Sequence, residues 1–206
     1  MRIALFGGTG RVGRYILDML LDENIEVAVL ARSPEKLTSS SPLLKVIKGD
    51  VLHKEDVEQT IQGADAVISA LGTDKQNTLQ RSMPHIIEAM EAHNINRLLT
   101  IGTAGILDAR SEPGTYRFAS SESKRRSTTA AEDHAKVYEM LQTTGLVWTI
   151  ICPTYLPDGE EHGKIRAEED FLPKDGYKIT TADTAAFTVH LLLHPAYERK
   201  RVGITY

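Results

Sequence analysis

The sequence has few of the features that mark disulfide-rich, membrane-bound or nucleic-acid-binding proteins. Cys152 is the single cysteine among 206 residues, which excludes an intrachain disulfide, and its apolar surroundings predict a buried thiol. The longest apolar run, 185–193, is too short to span a bilayer. A formal net charge of -4 offers no basic surface for nucleic acid. With no signal-peptide pattern at the start, we expect a soluble, cytoplasmic protein without membrane or nucleic-acid partners.

Short apolar runs alternate with amphipathic stretches along the whole chain, and 41% of the residues are hydrophobic. This alternation is typical of the α/β class, in which helices cover both faces of a doubly wound, mostly parallel sheet. We predict a single domain over 1–206. The predicted strands, about seven, are 2–6, 26–31, 44–48, 66–70, 97–101, 147–152 and 202–206. The predicted helices are 12–21, 54–61, 78–93, 129–143 and 182–193.

Two stretches interrupt the alternation, 103–128 and 153–177. Loops of this length within a compact domain are usually functional or mobile. Each follows a predicted strand, so both leave the carboxyl edge of the sheet, where open α/β sheets bind ligands. We therefore expect them to form a substrate site.

A glycine-rich turn links the first strand to the first helix. In this context its glycines predict a dinucleotide site: the first permits a tight turn, the next lets the backbone approach a pyrophosphate, and the last allows close helix packing. The helix N-terminus would face the phosphates. The predicted cofactor contacts here are Gly7, Gly8, Thr9, Gly10, Arg11, Val12 and Gly13.

The end of the second strand predicts which dinucleotide is bound. Sites for NAD usually carry an acidic residue there, whereas this chain has Arg32. A guanidinium suits the 2′-phosphate of NADPH because it offers planar, charge-assisted hydrogen bonds. Arg11 is expected to point towards the same corner, and Lys36 could reach it. The alternative for Arg32 is an exposed charge at a strand end.

The next two strand ends complete the predicted cofactor edge. Asp50 could accept a hydrogen bond from the adenine amino group, or could instead cap the following helix. The small residues after the fourth strand suit a close approach of backbone to cofactor, although they also suit a plain turn. The predicted contacts are Asp50, Val51, Ala70, Leu71, Gly72 and Thr73.

Several segments resemble the atypical short-chain dehydrogenase/reductases, including NmrA-like proteins, and most closely the NADPH-dependent flavin and biliverdin reductases. The similar segments are GGTGRVG, ARSPEKL, GDVLHKEDVEQTIQGADAVISALGT and DHAKVYEMLQTTGLVWTIICP. The resemblance runs nearly end to end. It implies a three-layer Rossmann fold, a small substrate pocket above the nicotinamide, and hydride transfer to flavins or linear tetrapyrroles.

The chain departs from these families at catalytic positions. No tyrosine has a lysine four residues later, so the Tyr-x-x-x-Lys pair of mainstream short-chain dehydrogenases is absent. With Lys136 in the lysine place, Glu132 stands where the tyrosine would be. By resemblance, Thr103 and Tyr155 match a serine and a histidine of the flavin and biliverdin reductases, and His134 matches a histidine.

Four residues are therefore the catalytic candidates: Thr103, His134, Lys136 and Tyr155. Thr103 could bond the nicotinamide carboxamide or the substrate, or be a strand-end turn residue. Tyr155, which follows the predicted cofactor contacts Pro153 and Thr154, could stack on a planar substrate or donate a proton, or belong partly to the core. His134 could equally be a surface or capping residue. The spacing of the seven histidines predicts no metal site.

The basic cluster Lys124-Arg125-Arg126 is either a solvated surface or the rim of a pocket for anionic substrates. Altogether the sequence predicts an NADPH-dependent reductase of a planar acceptor such as FMN, FAD or a bilin. The alternative is a non-catalytic, NmrA-like redox sensor that binds the dinucleotide. An epimerase or dehydratase is disfavoured by the short carboxyl half of the chain. The oligomeric state stays open.

Overall fold

The computed structural model describes residues 1–74, 76–123 and 127–206. Its strands are β1 (Arg2–Phe6), β2 (Glu26–Ala31), β3 (Leu44–Lys48), β4 (Ala66–Ser69), β5 (Arg97–Ile101), β6 (Val147–Pro153), β7 (Arg166–Glu169) and β8 (Lys200–Thr205). Its α-helices are α1 (Gly13–Asp22), α2 (Lys54–Ile61), α3 (Thr78–Ala92), α4 (Thr129–Gln142) and α5 (Thr181–Leu193).

These strands form one eight-stranded sheet in the order β3-β2-β1-β4-β5-β6-β8-β7. Every pairing is parallel except that of β7 with β8. The chain first builds outwards from β1 to β3 and then restarts on the other side of β1 with β4. A crevice opens at such a reversal, outside the carboxyl ends of β1 and β4, and ligands of doubly wound sheets bind there.

The helices cover both faces of the sheet, which gives the three layers of a Rossmann fold. On one face, α1 packs beside α5 over a core that includes Leu5, Ile16 and Val202. On the other, α2, α3 and α4 lie side by side over a core that includes Phe6, Met83 and Trp148. Strands β1, β4, β5 and β6 are buried on both faces, as their largely apolar sequences predict.

The predicted α/β fold with a mostly parallel sheet is confirmed, and each predicted strand and helix is present within a few residues. The sequence analysis missed β7, which lies inside the predicted loop 153–177. Its sequence, Arg-Ala-Glu-Glu, is polar because β7 is an exposed edge strand, so it carries no apolar run. Strand β6 extends to Pro153, and the last strand begins at Lys200, ahead of its prediction.

The other predicted loop, 103–128, also contains short ordered elements. One-turn 3-10 helices occupy Ala104–Ile106 and Arg117–Ala119, and Asp108 pairs with Tyr116 in an isolated bridge. No helix within the described part of the chain is long and apolar enough to cross a membrane. Cys152 is fully buried, as predicted.

Candidate functional site

The glycine turn closes tightly over the end of β1 because two of its residues have no room for a side chain. Gly7 has a φ of +82°, and a Cβ there would lie 2.5 Å from the Ala70 carbonyl oxygen. A Cβ on Gly13 would lie 2.1 Å from the Gly7 carbonyl oxygen, so α1 can begin against the turn only with glycine at this position. The Gly10 amide donates to the same carbonyl at 2.9 Å. These contacts hold the start of α1 at the mouth of the crevice.

The turn leaves hydrogen-bond donors at the N-terminus of α1. Within the described residues, the backbone N–H groups of Arg11 and Val12 have no acceptor. The first amides of a helix and its dipole together favour an anion. The turn can therefore hold a phosphate group. Gly8 contributes differently, because it is buried and a Cβ there would meet the Val29 side chain at 2.9 Å.

A cavity of about 310 Å³ lies over the carboxyl ends of β1, β2 and β4. It is lined by most of the predicted cofactor contacts, brought together from four separate segments of the chain. These are Gly7, Thr9, Gly10, Arg32, Asp50, Val51, Ala70, Leu71, Gly72 and Thr73. We call this space the nucleotide cavity.

Arg32 lies exposed at the wall of the nucleotide cavity, together with Lys36. Arg32 forms no hydrogen bond or ion pair within the described residues, so its guanidinium is available to a ligand. Asp74 lines the same cavity. A hydrogen bond from the Thr78 hydroxyl, 2.6 Å from Asp74 Oδ2, holds the pKa of this carboxyl below its usual value, with further contributions from nearby amides and from the charge of Arg32.

Asp50 lines the nucleotide cavity, but its carboxylate is already engaged. Oδ1 accepts from the Leu52 amide at 3.0 Å, and the Asp50 amide donates to the Asp56 carboxylate at 2.8 Å. These bonds shape the turn before α2. Asp50 does not cap that helix, since its N-cap residue is His53.

A second space, of about 550 Å³, continues from the nucleotide cavity along the sheet edge towards β5 and β6. The two spaces share the wall formed by Gly10 and residues 70–73. We call this second space the acceptor cavity. It brings together residues predicted from distant parts of the sequence: Thr103, His134, Pro153, Thr154 and Tyr155.

Thr103 is 8% exposed and lies just beyond the end of β5, after Gly102. Its hydroxyl accepts from the Gly105 amide at 3.3 Å and so caps the 3-10 helix behind it, while the residue still lines the acceptor cavity. Cys152 lies behind this wall. Burial raises the pKa of its thiol to about 12, so the neutral thiol packs as an apolar group and offers no nucleophile.

Tyr155 is 59% exposed, which excludes the alternative that it belongs to the core. Its backbone is fixed nevertheless, because its carbonyl accepts from the Ile179 amide at 3.0 Å. The ring lies beside that of Tyr177, with 6.0 Å between their centroids. His134, in the second turn of α4, lines the opposite part of the acceptor cavity and is half-buried.

The structure places Arg11 away from the corner that the sequence analysis assigned to it. Its Nε is 2.9 Å from Asp158 Oδ1, and its Nη2 donates to the Leu156 carbonyl at 2.7 Å. Arg11 therefore lines the acceptor cavity and ties the glycine turn to the segment after β6. Lys36, from the short turn at Pro34–Lys36, lies near Arg32 where Arg11 was expected.

Lys136 does not belong to the site. Two residues beyond His134, it lies on the opposite side of α4, where it is exposed and pairs with Glu139 at 2.8 Å. The lysine of a Tyr-x-x-x-Lys pair would need to face the sheet edge, and on this helix that direction is taken by Ala130 and His134. The structure thus contradicts the prediction for Lys136.

Two histidines have the His-x-x-x-His spacing, which the sequence was wrongly expected to lack. His190 and His194 are four residues apart at the end of α5, with ring centroids 4.8 Å apart. Within the described ranges, no group of three or more His, Cys, Asp or Glu side chains could hold a metal ion. The basic cluster Lys124-Arg125-Arg126 lies outside the described residues.

Further residues in or beside the two cavities were not predicted from the sequence. Asp74 and Thr78 could have been predicted, because aspartate and threonine are typical of the start of an amphipathic helix. Leu156 and Tyr177 have no such signal. They reach the site only because the segment after β6 folds back, with Tyr155 and Lys178 paired in an isolated bridge.

Solved structures share this architecture. A candidate epimerase from Bacteroides thetaiotaomicron is 29% identical, with a TM-score of 0.87 over 100% of this chain and 96% of that one. A candidate NADH-flavin reductase from Streptococcus pneumoniae is 24% identical, with a TM-score of 0.84 over 100% and 99% of the two chains. ChuY, an anaerobilin reductase from Escherichia coli O157:H7, is 23% identical, with a TM-score of 0.83 over 100% and 97%.

A family model described as NAD(P)H-binding matches residues 7–195. The match begins at the glycine turn and extends through α5, so it includes both cavities. Since it covers most of the sequence, and the crevice at the sheet reversal has the phosphate-binding turn that such a ligand needs, the chain belongs to the NAD(P)H-binding Rossmann family.

Proposed function

We propose that the protein is an NADPH-dependent reductase that passes a hydride to a planar, conjugated acceptor such as a flavin or a linear tetrapyrrole. The observation that carries the proposal is the continuity of the nucleotide cavity with the larger acceptor cavity, through the shared wall of Gly10 and residues 70–73. A cofactor held at the glycine turn would extend from one space into the other. The acceptor cavity is larger than the nucleotide cavity, so it has room for an acceptor beside the nicotinamide, whereas a redox sensor needs room for the dinucleotide alone.

The choice of NADPH rests on Arg32. The Arg32 guanidinium stands where sites for NAD carry an acid, and no described side chain neutralises it by direct pairing. Lys36 adds a second positive charge to the same cavity wall. A 2′-phosphate bound there would make charge-assisted hydrogen bonds that the 2′-hydroxyl of NADH cannot replace.

The acceptor cavity favours positioning over strong acid–base catalysis. When bound, NADPH supplies the hydride, and complete reduction of a flavin also takes up one proton. His134 and Tyr155 line the cavity and carry groups that can transfer a proton, while the exposed position of Tyr155 shows that solvent also reaches this space. Hydride transfer to such an acceptor depends mainly on holding the two reactants together.

Two of the similar structures carry names that support a planar acceptor, a candidate NADH-flavin reductase and an anaerobilin reductase, although the first name gives NADH as the cofactor. The proposal is tested by mixing the protein with NADPH and FMN under low oxygen and following the loss of NADPH absorbance. We expect turnover that saturates with FMN. Tight NADPH binding without turnover of FMN, FAD or biliverdin would instead support the redox sensor.

A further inference from the structure

A third cavity, of about 470 Å³, lies beside the acceptor cavity and shares a wall with it. Thr154 and Tyr155 line both spaces. The other walls of this side cavity come from the loop after β5, with Arg117 and Glu122, and from Tyr177. A molecule in the acceptor cavity can therefore extend past Tyr155 into the side cavity.

The passage between the two spaces is aromatic. Tyr155 and Tyr177 are 59% and 71% exposed, with their ring centroids 6.0 Å apart and their planes tilted by 48°. Hydrogen bonds anchor the backbone of both residues: the Tyr155 carbonyl accepts from the Ile179 amide at 3.0 Å, and the Tyr177 carbonyl accepts from the Thr154 hydroxyl at 3.1 Å. Two large rings on an anchored backbone, left open to solvent beside a cavity, are typical of a binding surface for a flat ligand.

One wall of the side cavity carries an arginine–glutamate ion pair. Arg117 Nε lies 3.3 Å from Glu122 Oε2, and both side chains are about three-quarters buried, with relative exposures of 25% and 24%. The other oxygen of Glu122 accepts from the amide and the hydroxyl of Ser111, and these bonds, of which the amide bond is the stronger, hold the pKa of Glu122 below its usual value. Glu122 therefore stays ionised and orients the guanidinium.

The terminal nitrogens of Arg117 remain available. Within the described part of the chain, neither Nη1 nor Nη2 has a hydrogen-bond acceptor. A guanidinium held at Nε and open at its two ends presents a planar pair of donors, which matches the oxygens of a phosphate or a carboxylate. The side cavity thus combines an aromatic entrance with an anion-binding end.

We propose that the side cavity binds the anionic group of the acceptor: the conjugated ring system occupies the acceptor cavity and the Tyr155–Tyr177 passage, and a phosphate or carboxylate on the same molecule pairs with Arg117. The inference rests on the proposed reductase function, because only that function makes the bound molecule a hydride acceptor. It narrows the substrate class to planar molecules that carry an anionic tail.

The test compares ligands that differ only in the anionic group. Binding of FMN and riboflavin, and of biliverdin and its dimethyl ester, is measured by fluorescence or absorbance titration with NADP⁺ present, for the unmodified protein and for Arg117→Gln. Loss of a hydrogen-bonded charge pair should weaken the binding of FMN or biliverdin about tenfold. Riboflavin and the ester should bind unchanged. Which pair responds distinguishes a flavin phosphate from a bilin propionate.

A matched control is Arg110→Gln, which removes the same charge from the same loop. Arg110 pairs with Glu168, stacks on Phe171 and lines neither cavity, so it should leave both ligand pairs unaffected. Thermal unfolding of both variants checks that the fold is intact. Arg117→Lys, which keeps the charge without the planar fork, should recover only part of the affinity.

The aromatic passage is tested separately. Tyr177→Ala should weaken charged and uncharged ligands alike, by roughly tenfold for the loss of one stacking contact, whereas Tyr177→Phe should not. The inference would be overturned if Arg117→Gln weakened the binding of FMN and riboflavin equally, and that of biliverdin and its ester equally. It would also be overturned if the unmodified protein bound the charged member of neither pair more tightly. Arg117-dependent binding without NADPH turnover would retain the anion site and reject the reductase.

Discussion

The nucleotide cavity and the acceptor cavity are held in shape by different means. Around the nucleotide cavity, backbone atoms are in direct contact: Gly13 begins α1 against the Gly7 carbonyl, and Gly7 lies against Ala70. Around the acceptor cavity, side chains from two long segments join parts of the chain that are far apart in sequence, as Arg11 and Asp158 do. The first arrangement depends on local steric rules and the second on long-range contacts.

This difference explains why the ligand of the nucleotide cavity can be inferred in more detail than the ligand of the acceptor cavity. A tight turn with an open helix N-terminus has a restricted set of ligands, since few groups besides phosphate satisfy it. An aromatic passage with a single guanidinium accepts many planar anions. Substitutions in the two regions should therefore disturb different properties, and those at the nucleotide cavity should have the larger effects.

Gly13→Ala should have the largest effect. Its Cβ would lie 2.1 Å from the Gly7 carbonyl oxygen, and separating α1 from the turn should destabilise the protein by about 3 kcal/mol. NADPH affinity should fall roughly a hundredfold because the donors at the start of α1 move. Calorimetry and thermal unfolding measure both changes. In Gly145→Ala the added Cβ meets nothing within 4 Å, and this control should behave like the unmodified protein.

Arg32→Glu separates the two dinucleotides. Replacing the guanidinium with a carboxylate removes charge-assisted bonds and adds repulsion, so NADPH binding should weaken about a hundredfold while NADH binding changes little. Titration with each dinucleotide gives the ratio. Arg81→Glu, an exposed arginine on α3 outside both cavities, provides the same charge change. If NADPH and NADH lost affinity equally, Arg32 would not be the phosphate ligand.

Asp183 anchors the segment after β6 to the start of α5. Its carboxylate is buried and accepts from the amides of His162 and Gly163 at 2.8 and 3.0 Å, and from the hydroxyls of Thr180 and Tyr206. Asp183→Asn would turn an amide donor towards these donors. The free energy of unfolding should fall by about 2 kcal/mol. Asp22→Asn, at the exposed end of α1, should change it little.

The same carboxyl predicts how stability depends on pH. Burial alone would raise the pKa of Asp183, but the hydrogen bonds from Tyr206, His162, Gly163 and Thr180 outweigh it and lower the pKa. The folded protein then binds fewer protons than the unfolded chain, so this stabilisation is present above the unfolded pKa of about 3.9 and is lost as the pH falls through the folded pKa. Acid unfolding should depend less on pH in Asp183→Asn. An unchanged acid profile would contradict this role.

Arg11→Gln should have the smallest effect. Arg11 and Asp158 are more than half exposed, and such surface pairs contribute about 1 kcal/mol or less. A double-mutant cycle with Asp158→Asn should give a coupling energy in that range. If Arg11 instead reached the 2′-phosphate, as the sequence predicts, Arg11→Gln would weaken NADPH more than NADH, and Asp158→Asn would not.

Most of the fold could be predicted because periodicity is a local property. The glycine turn and the apolar strands indicated a parallel sheet, and the chain order of strands and helices indicated its layers. Strand β7 could not be predicted, since a polar edge strand is identified only by its pairing with β8. Lys136 was predicted wrongly for a related reason: alignment with a motif does not show which side of α4 a residue occupies.

At the site, the turn from Gly7 to Gly13 and the charge of Arg32 can be read from the sequence, because steric exclusion and formal charge follow directly from residue type. The folded structure was needed to show that Arg11 pairs with Asp158, that Tyr177 lies beside Tyr155, and that Arg117 faces a side cavity. Those contacts join residues up to 147 positions apart, as for Arg11 and Asp158. They depend on how two irregular segments fold back over the sheet edge, which no local pattern encodes.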